Sequence, residues 1–180
     1  MSWFSTKEYW KYLCQAKGRH GVHSPLVYTL VDVGLRKQLP KGKLQSLYKN
    51  EAGAVWDSTD LLERIAEHFQ FSEIKNWAQK LAFSNFKNGN TERDTSFDTF
   101  FDFSANSPKD VLNFFQKNAS IFREQDALCM GNMHQSKESL ASWKTLQDQP
   151  QVTLSLDFYS VGILFFSKKI KEKQHFILRS

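Results

Sequence analysis

The order of apolar segments in the second half of the chain constrains the fold most. Short aromatic or apolar segments typical of buried strands alternate there with helical patterns that open at Ser107 and Ser136. Two further apolar segments predict a hairpin that turns at Tyr159 and Ser160. The predicted strands are 96–103, 127–130, 152–158, 161–166 and 175–179. The order strand, helix, strand, helix, strand, strand predicts an α/β sheet with an antiparallel finish.

The first half of the chain has helical patterns instead. An amphipathic helix is predicted over 5–17, before Gly18, and a second helix begins where Ser24 precedes Pro25. Further helices are predicted over 58–69 and 74–86, with a loop over 39–57. The N-terminal region is therefore expected to be helical.

Composition and charge limit the function classes. A chain of 180 residues, 41% hydrophobic and 24% charged, fits one globular domain rather than a disordered chain. No apolar run is long enough to span a bilayer, and the start does not resemble a signal peptide, so no membrane partner is expected. Two cysteines form no disulfide framework, which favours a cytoplasmic location. The net charge of +5 permits binding to nucleic acid or an anionic surface, but the cations are dispersed and nucleic acid is not expected as a partner.

Four segments resemble a bacterial family of class I S-adenosylmethionine-dependent methyltransferase-like proteins. HGVHSPLVY at 20–28 is similar to the opening signature of that family, with Leu26 where Phe is usual. FDTFFD at 97–102 resembles its fourth strand and terminal Asp, and MGNMHQS at 130–136 resembles its Phe-Asp-Asp-Ile-His-Trp-Ser block. The fourth and longest segment runs from 152 to 179. The resemblance covers about two-thirds of the chain and implies a Rossmann-like sheet with a hairpin at one edge.

Cofactor binding in that family is expected to need a glycine-rich turn after the first strand and an acidic residue after the second. Between Lys43 and Met130 the chain has only Gly53 and Gly89, and neither follows a predicted strand. Only 37 residues separate Asp60 from Phe97. Three strands with their crossover helices would need roughly twice that number or more, since one strand–helix–strand unit takes about 30 or more. The cofactor-binding half is therefore predicted to be deleted or rebuilt as helices, and no cofactor-binding residue is assigned.

The resemblance also implies candidate site residues. Related O-methyltransferases hold a divalent metal with an Asp after the fourth strand and an Asp-Asp or Asp-Asn pair after the fifth. The matching positions here are Asp102, Gly131 and Asn132, so Asp102 and Asn132 are candidates for a vestigial metal site. Asp102 has a structural alternative, which is to cap the turn that follows its strand. His134 lies where α/β folds bind ligands and is the candidate for proton transfer, although a buried structural histidine is the alternative.

The sequence thus predicts a single domain over 1–180, with a truncated Rossmann-like methyltransferase sheet. Its segments are an N-terminal helical extension (1–57), a helical replacement of the cofactor-binding half (58–95) and an α/β half (96–180). The first hypothesis is a methyltransferase family member with cofactor binding and catalysis impaired or lost, so S-adenosylmethionine is its cofactor only if activity survives. The second is a non-catalytic protein-interaction module. Loss of three strands would leave the fourth as an exposed edge, covered by the 58–88 helices, by a second copy or by a partner protein. Binding of an acidic partner through the basic ends is a third idea.

Overall fold

Helices and strands alternate through the part of the chain that the computed structural model describes, which comprises residues 3–18, 21–35, 58–76, 84–85 and 97–179. The helices there are α1 (Trp3–Gln15), α2 (Pro25–Thr29), α3 (Ser58–Phe69), α4 (Pro108–Asn118) and α5 (Lys137–Gln147). The strands are β1 (Glu73–Asn76), β2 (Ser84–Asn85), β3 (Thr99–Phe103), β4 (Ala127–Gly131), β5 (Leu154–Asp157), β6 (Val161–Phe165) and β7 (Gln174–Ile177). The protein is therefore α/β, as predicted.

The strands form one mixed sheet in the order β2-β1-β3-β4-β6-β5-β7. Strands β1, β3 and β4 run parallel, whereas β6 is antiparallel to both β4 and β5. Strand β7 is parallel to β5 and forms one edge. The predicted hairpin is confirmed, because β5 and β6 pair directly across Phe158–Val161. Tyr159 adopts a φ of 68° in this turn.

Helices cover both faces of the sheet. On one face, α2 and α3 pack on alternate residues of the central strands, including Phe100, Cys129 and Ile163. On the other face, α4 and α5 pack on the residues between them, such as Phe101 and Leu128. Strands buried on both faces read as continuous apolar runs. This explains why 127–130 and 161–166 are apolar throughout.

The helix predicted over 74–86 is wrong at both of its described segments. Glu73–Asn76 is a strand that pairs in parallel with Thr99–Phe103, and Ser84–Asn85 pairs antiparallel with its start. The apolar spacing around Ile74 fits a helix locally, but pairing with β3 and burial of Ile74 in the core decide its state. The assignment of 58–95 as helical therefore holds for Ser58–Phe69 and fails for β1 and β2.

The prediction of an exposed edge at the 96–103 strand is wrong as well. Strand β3 lies between β1 and β4, so its backbone groups are paired on both sides. The cover is a strand rather than the predicted helices, because α3 packs on a face of the sheet and not along its edge.

The helical N-terminal region is confirmed within the described residues. Helix α1 begins at Trp3 and ends at Gln15, and Pro25 opens α2, which continues as a π-helical turn over Leu30–Gly34. The predicted loop over 39–57 lies outside the described part of the chain, as do residues 77–83 and 86 of the predicted helix. No helix in the described residues is both long and apolar enough to cross a membrane.

Candidate functional site

Four polar side chains of the candidate site lie at the carboxyl ends of neighbouring strands. Strands β1, β3, β4 and β5 run in the same direction, so their carboxyl ends lie at one end of the sheet, where α/β proteins bind ligands. Asp102 is the penultimate residue of β3, and Asn132 and His134 follow β4. Asp157 is the last residue of β5. The sheet therefore brings the three predicted residues and Asp157 to the same end of its strands.

His134 and Asp157 form a buried pair. His134 Nε2 lies 2.9 Å from Asp157 Oδ2, and the two residues are 9% and 4% exposed. The other carboxylate oxygen, Oδ1, accepts the backbone N–H of Tyr159 at 2.8 Å. Because both carboxylate oxygens are engaged, Asp157 fixes the imidazole ring and the hairpin turn together.

Tyr159 covers this pair. Its ring stacks on the His134 imidazole, with centroids 5.0 Å apart and planes inclined by 11°. Its hydroxyl donates to the backbone oxygen of Ser5 in α1 at 2.8 Å and lies 3.0 Å from Ser5 Oγ. The rings of Tyr9 and Tyr12 pack against Tyr159 with centroid distances of 5.0 and 5.3 Å. Helix α1 thus closes the site from outside.

The pair has the geometry of an imidazole oriented by a carboxylate. His134 Nε2 lies within hydrogen-bond distance of Asp157 Oδ2, and in the tautomer that donates from Nε2 the other ring nitrogen, Nδ1, carries the lone pair. This is how a carboxylate orients a catalytic imidazole. Among the described residues, the buried Nδ1 has no hydrogen-bond partner. His134 is buried, Tyr159 stacks on its ring, and the Tyr159 hydroxyl bonds Ser5, so in this conformation the pair helps to hold α1 in place.

Asp102 caps a turn. It is 1% exposed, and its Oδ1 accepts the backbone N–H of Ser104 at 2.9 Å. This is the structural alternative given above. Its carboxylate also affects Cys129, the residue opposite it on β4. Burial raises the pKa of the Cys129 thiol well above its usual value, and the charge of Asp102 raises it further. Cys129 is therefore the inert core thiol of this strand, whereas Cys14 is exposed.

Asn132 is engaged in the loop after β4. It adopts a φ of 60°, its N–H donates to the backbone oxygen of Ser160 at 2.9 Å, and its Oδ1 accepts from Gln135 Nε2 at 2.7 Å. The neighbouring Gly131 lies against β3, since a Cβ added there would be 2.2 Å from the backbone oxygen of Ser104. A side chain at 131 therefore has no room to supply a third metal ligand.

A metal site at Asp102 and Asn132 stays a prediction. In the ranges that the structure describes, no cluster of three or more His, Cys, Asp or Glu side chains could hold a metal ion. Both side-chain oxygens named above already accept hydrogen bonds, and a hard divalent cation needs several oxygen ligands.

Sequence reasoning missed Asp157 and Tyr159. The available signal was an aspartate that directly follows the alternating segment 152–156, two residues before the turn residue Tyr159. Burying a charged side chain at the end of a strand destabilises the fold unless that side chain is paired. The partner of Asp157 is His134. The contact of Tyr159 with Ser5 joins residues 154 positions apart, which no local pattern indicates.

Comparison with known proteins adds no relative: no family model, no curated protein and no solved structure matches this chain.

Proposed function

We propose that the protein is an S-adenosylmethionine-dependent methyltransferase family member in which cofactor binding and catalysis are impaired or lost. The proposal starts from the resemblance of residues 20–28, 97–102, 130–136 and 152–179. The arrangement β3-β4-β6-β5, parallel and then antiparallel, agrees with the sheet and edge hairpin that the resemblance implies.

The observation that carries the proposal concerns the segment after β1. In a doubly wound sheet the first strand lies beside the fourth, and the glycine-rich turn that holds the nucleotide follows it directly. Strand β1 occupies this place beside β3. The next glycine after Asn76 is Gly89, 13 residues further along the sequence. Without a glycine near the end of β1, the backbone has no residue suited to close approach by the cofactor.

The acceptor side supports the same conclusion. Gly131 replaces a carboxylate of the resembled motif and packs on Ser104, which leaves no space for a ligand. His134 remains, but it is buried, and the ring of Tyr159 stacks on it. A histidine that a substrate cannot reach provides no acid–base catalysis in this conformation.

Thermal unfolding in the presence of S-adenosylmethionine and S-adenosylhomocysteine tests the proposal. A ligand present at 100 times its dissociation constant stabilises a protein by about 2.7 kcal/mol. For a domain of this size that raises the melting temperature by roughly 5–11 °C. We expect no such rise at millimolar ligand, and adenosine serves as a control for unspecific effects. A rise confined to the two S-adenosyl compounds would overturn the proposal.

The alternative is a non-catalytic interaction module that pairs through a sheet edge. Strand β3, which was expected to be the exposed edge, is paired on both sides. The alternative therefore depends on β7, which is the longer of the two outermost described strands, β2 and β7. Among the described residues, the outer side of β7 is paired at its end, where Lys17 bridges to Leu178 and donates its N–H to the backbone oxygen of Ile177. Light scattering on the purified protein is the test. The N–H groups of Gln174 and Leu178 donate to β5, so by alternation the N–H of His175 is on the outer side. A dimer that His175→Pro abolishes would favour the module, and a strict monomer at high concentration would end the dimer version.

A further inference from the structure

Helix α1 has an exposed aromatic face that the site does not use. Trp3 and Trp10 are 83% and 65% exposed, the two most exposed of the large apolar side chains described. Seven positions apart, they lie on the same side of the helix, and Lys7 lies between them. The opposite side of α1 packs on the protein through the buried Glu8 and Tyr12.

The exposed charged side chains of α1 and of the residues that directly follow it are positive. Lys7, Lys11 and Lys17 are all exposed, and backbone contact between Lys17 and Arg179 brings a fourth exposed cation to the end of the helix. Glu8 is the only acidic residue in the sequence of α1, and it is buried and paired with Lys11. The face therefore attracts an anionic surface and repels another basic one.

We propose that the face formed by Trp3, Lys7 and Trp10 docks on the surface of an anionic lipid bilayer. Tryptophan is favoured at the headgroup level because the indole is apolar with one polar N–H, and lysine stems cover apolar surface while the ammonium stays in water. A helix whose other side is fixed to a folded domain can lie in the plane of the interface without spanning it.

Two observations favour lipid over other anionic partners. Lys7 Nζ lies 5.8 Å from the centroid of the Trp3 ring, so this cation occupies a ring face that a nucleic-acid base would need for stacking. The face is also the convex outer side of one helix, which matches a deformable lipid surface without a preformed groove. Self-association would bring Lys7 against the basic face of a second copy.

This proposal is independent of the proposed loss of catalysis. The expectation of no membrane partner rested on the absence of a spanning segment, and no described helix is long and apolar enough to cross a bilayer. Surface docking needs no such segment.

Flotation of the full chain with vesicles tests the proposal. One set of vesicles consists of phosphatidylcholine alone, and the other is an equimolar mixture of phosphatidylcholine and phosphatidylglycerol. We expect binding to the anionic vesicles that decreases as salt rises, since charges beyond about 10 Å are screened at 0.1 M salt. The double variant Trp3→Ala/Trp10→Ala is expected to weaken binding at least about tenfold, because both indoles leave the interface. Lys7→Glu is expected to weaken binding to anionic vesicles selectively.

Tyr28→Ala removes a partly exposed aromatic residue outside α1 and is the matched control, which should bind as the unchanged protein does. Circular dichroism of each variant shows that the fold persists. The proposal is overturned if neither vesicle binds, or if the double tryptophan variant binds as well as the Tyr28→Ala control. It is also overturned if a single-stranded oligonucleotide, or a second copy detected by light scattering, occupies the face while vesicles do not.

Discussion

Replacing Asp157 with alanine is expected to destabilise the fold strongly. The variant removes the acceptor of the partly buried Tyr159 N–H at 2.8 Å and the buried partner of His134 Nε2 at 2.9 Å. A buried polar group left without a partner costs about 1–3 kcal/mol. Counting about 2 kcal/mol for the buried group and about 1 for the partly buried one gives about 3 kcal/mol, which corresponds to a decrease of roughly 6–12 °C in melting temperature for a domain of this size.

The assay is chemical or thermal unfolding followed by circular dichroism. Asp148→Ala is the matched control, because Asp148 is an exposed aspartate at the end of α5 and should change stability by less than about 0.5 kcal/mol. Asp157→Asn is expected to cost less than alanine, since the amide oxygen still accepts from Tyr159.

A double-mutant cycle of Asp157→Ala with His134→Ala isolates the pair. Residues in direct contact show coupling energies of about 0.5–3 kcal/mol, and this buried pair should be in the upper half of that range. If Asp157→Ala is no more destabilising than Asp148→Ala, or if the cycle shows no coupling, the account of a pair that fixes α1 and the hairpin is refuted.

Three further predictions concern other parts of the fold. Gly131→Ala should lower the free energy of unfolding by more than about 2 kcal/mol, because the added Cβ would lie 2.2 Å from a backbone oxygen. Gly18→Ala should be tolerated, since no atom lies within 4 Å of its added Cβ. Equal urea midpoints for the two variants would contradict this. A thiol reagent should modify the exposed Cys14 in the native protein and the buried Cys129 only on unfolding, and two fast thiols would show that β4 is more accessible than described. Partial burial lowers the pKa of His175, so this imidazole binds a proton more readily in the unfolded chain than in the folded protein. The free energy of unfolding should therefore fall as pH decreases through about 6.5. His175→Gln should reduce that fall, and an unchanged dependence of stability on pH would argue against this cause.

The sequence predicts the second half of the fold well for physical reasons. Strands buried on both faces carry continuous apolar runs, and Ser107 and Ser136 cap helices α4 and α5 through hydrogen bonds to Asp110 N–H and Ser139 N–H. These signals are local, so they can be recognised without knowledge of the neighbours.

The failures lie where tertiary contacts decide. Ile74 belongs to a pattern with helical spacing, and only its pairing with β3 makes it part of a strand. Covering β3 with four residues of β1 also removes the exposed edge on which dimerisation was expected. Short strands at sheet edges have weak local signals, because their stability comes from the partner strand rather than from their own side chains.

The site was predicted in part for the same reason. Position after a strand was enough to select His134, because α/β folds bind ligands at the carboxyl ends of strands. Asp102 and Asn132 were selected through the resemblance to O-methyltransferases instead. The partners of His134 could not be selected in this way. Asp157 and Tyr159 reach it through the antiparallel hairpin, which places Asp157 at the Nε2 edge of the imidazole and Tyr159 over its face.

The central claim is that the fold has lost its cofactor site, and calorimetric titration with S-adenosylhomocysteine tests it most directly. S-adenosylhomocysteine is the product that remains after methyl transfer, so it binds without a methyl acceptor and its binding reports the nucleotide site alone. The account predicts no saturable heat up to millimolar ligand, because no glycine-rich turn follows β1. A saturable one-to-one isotherm with a micromolar dissociation constant would contradict it.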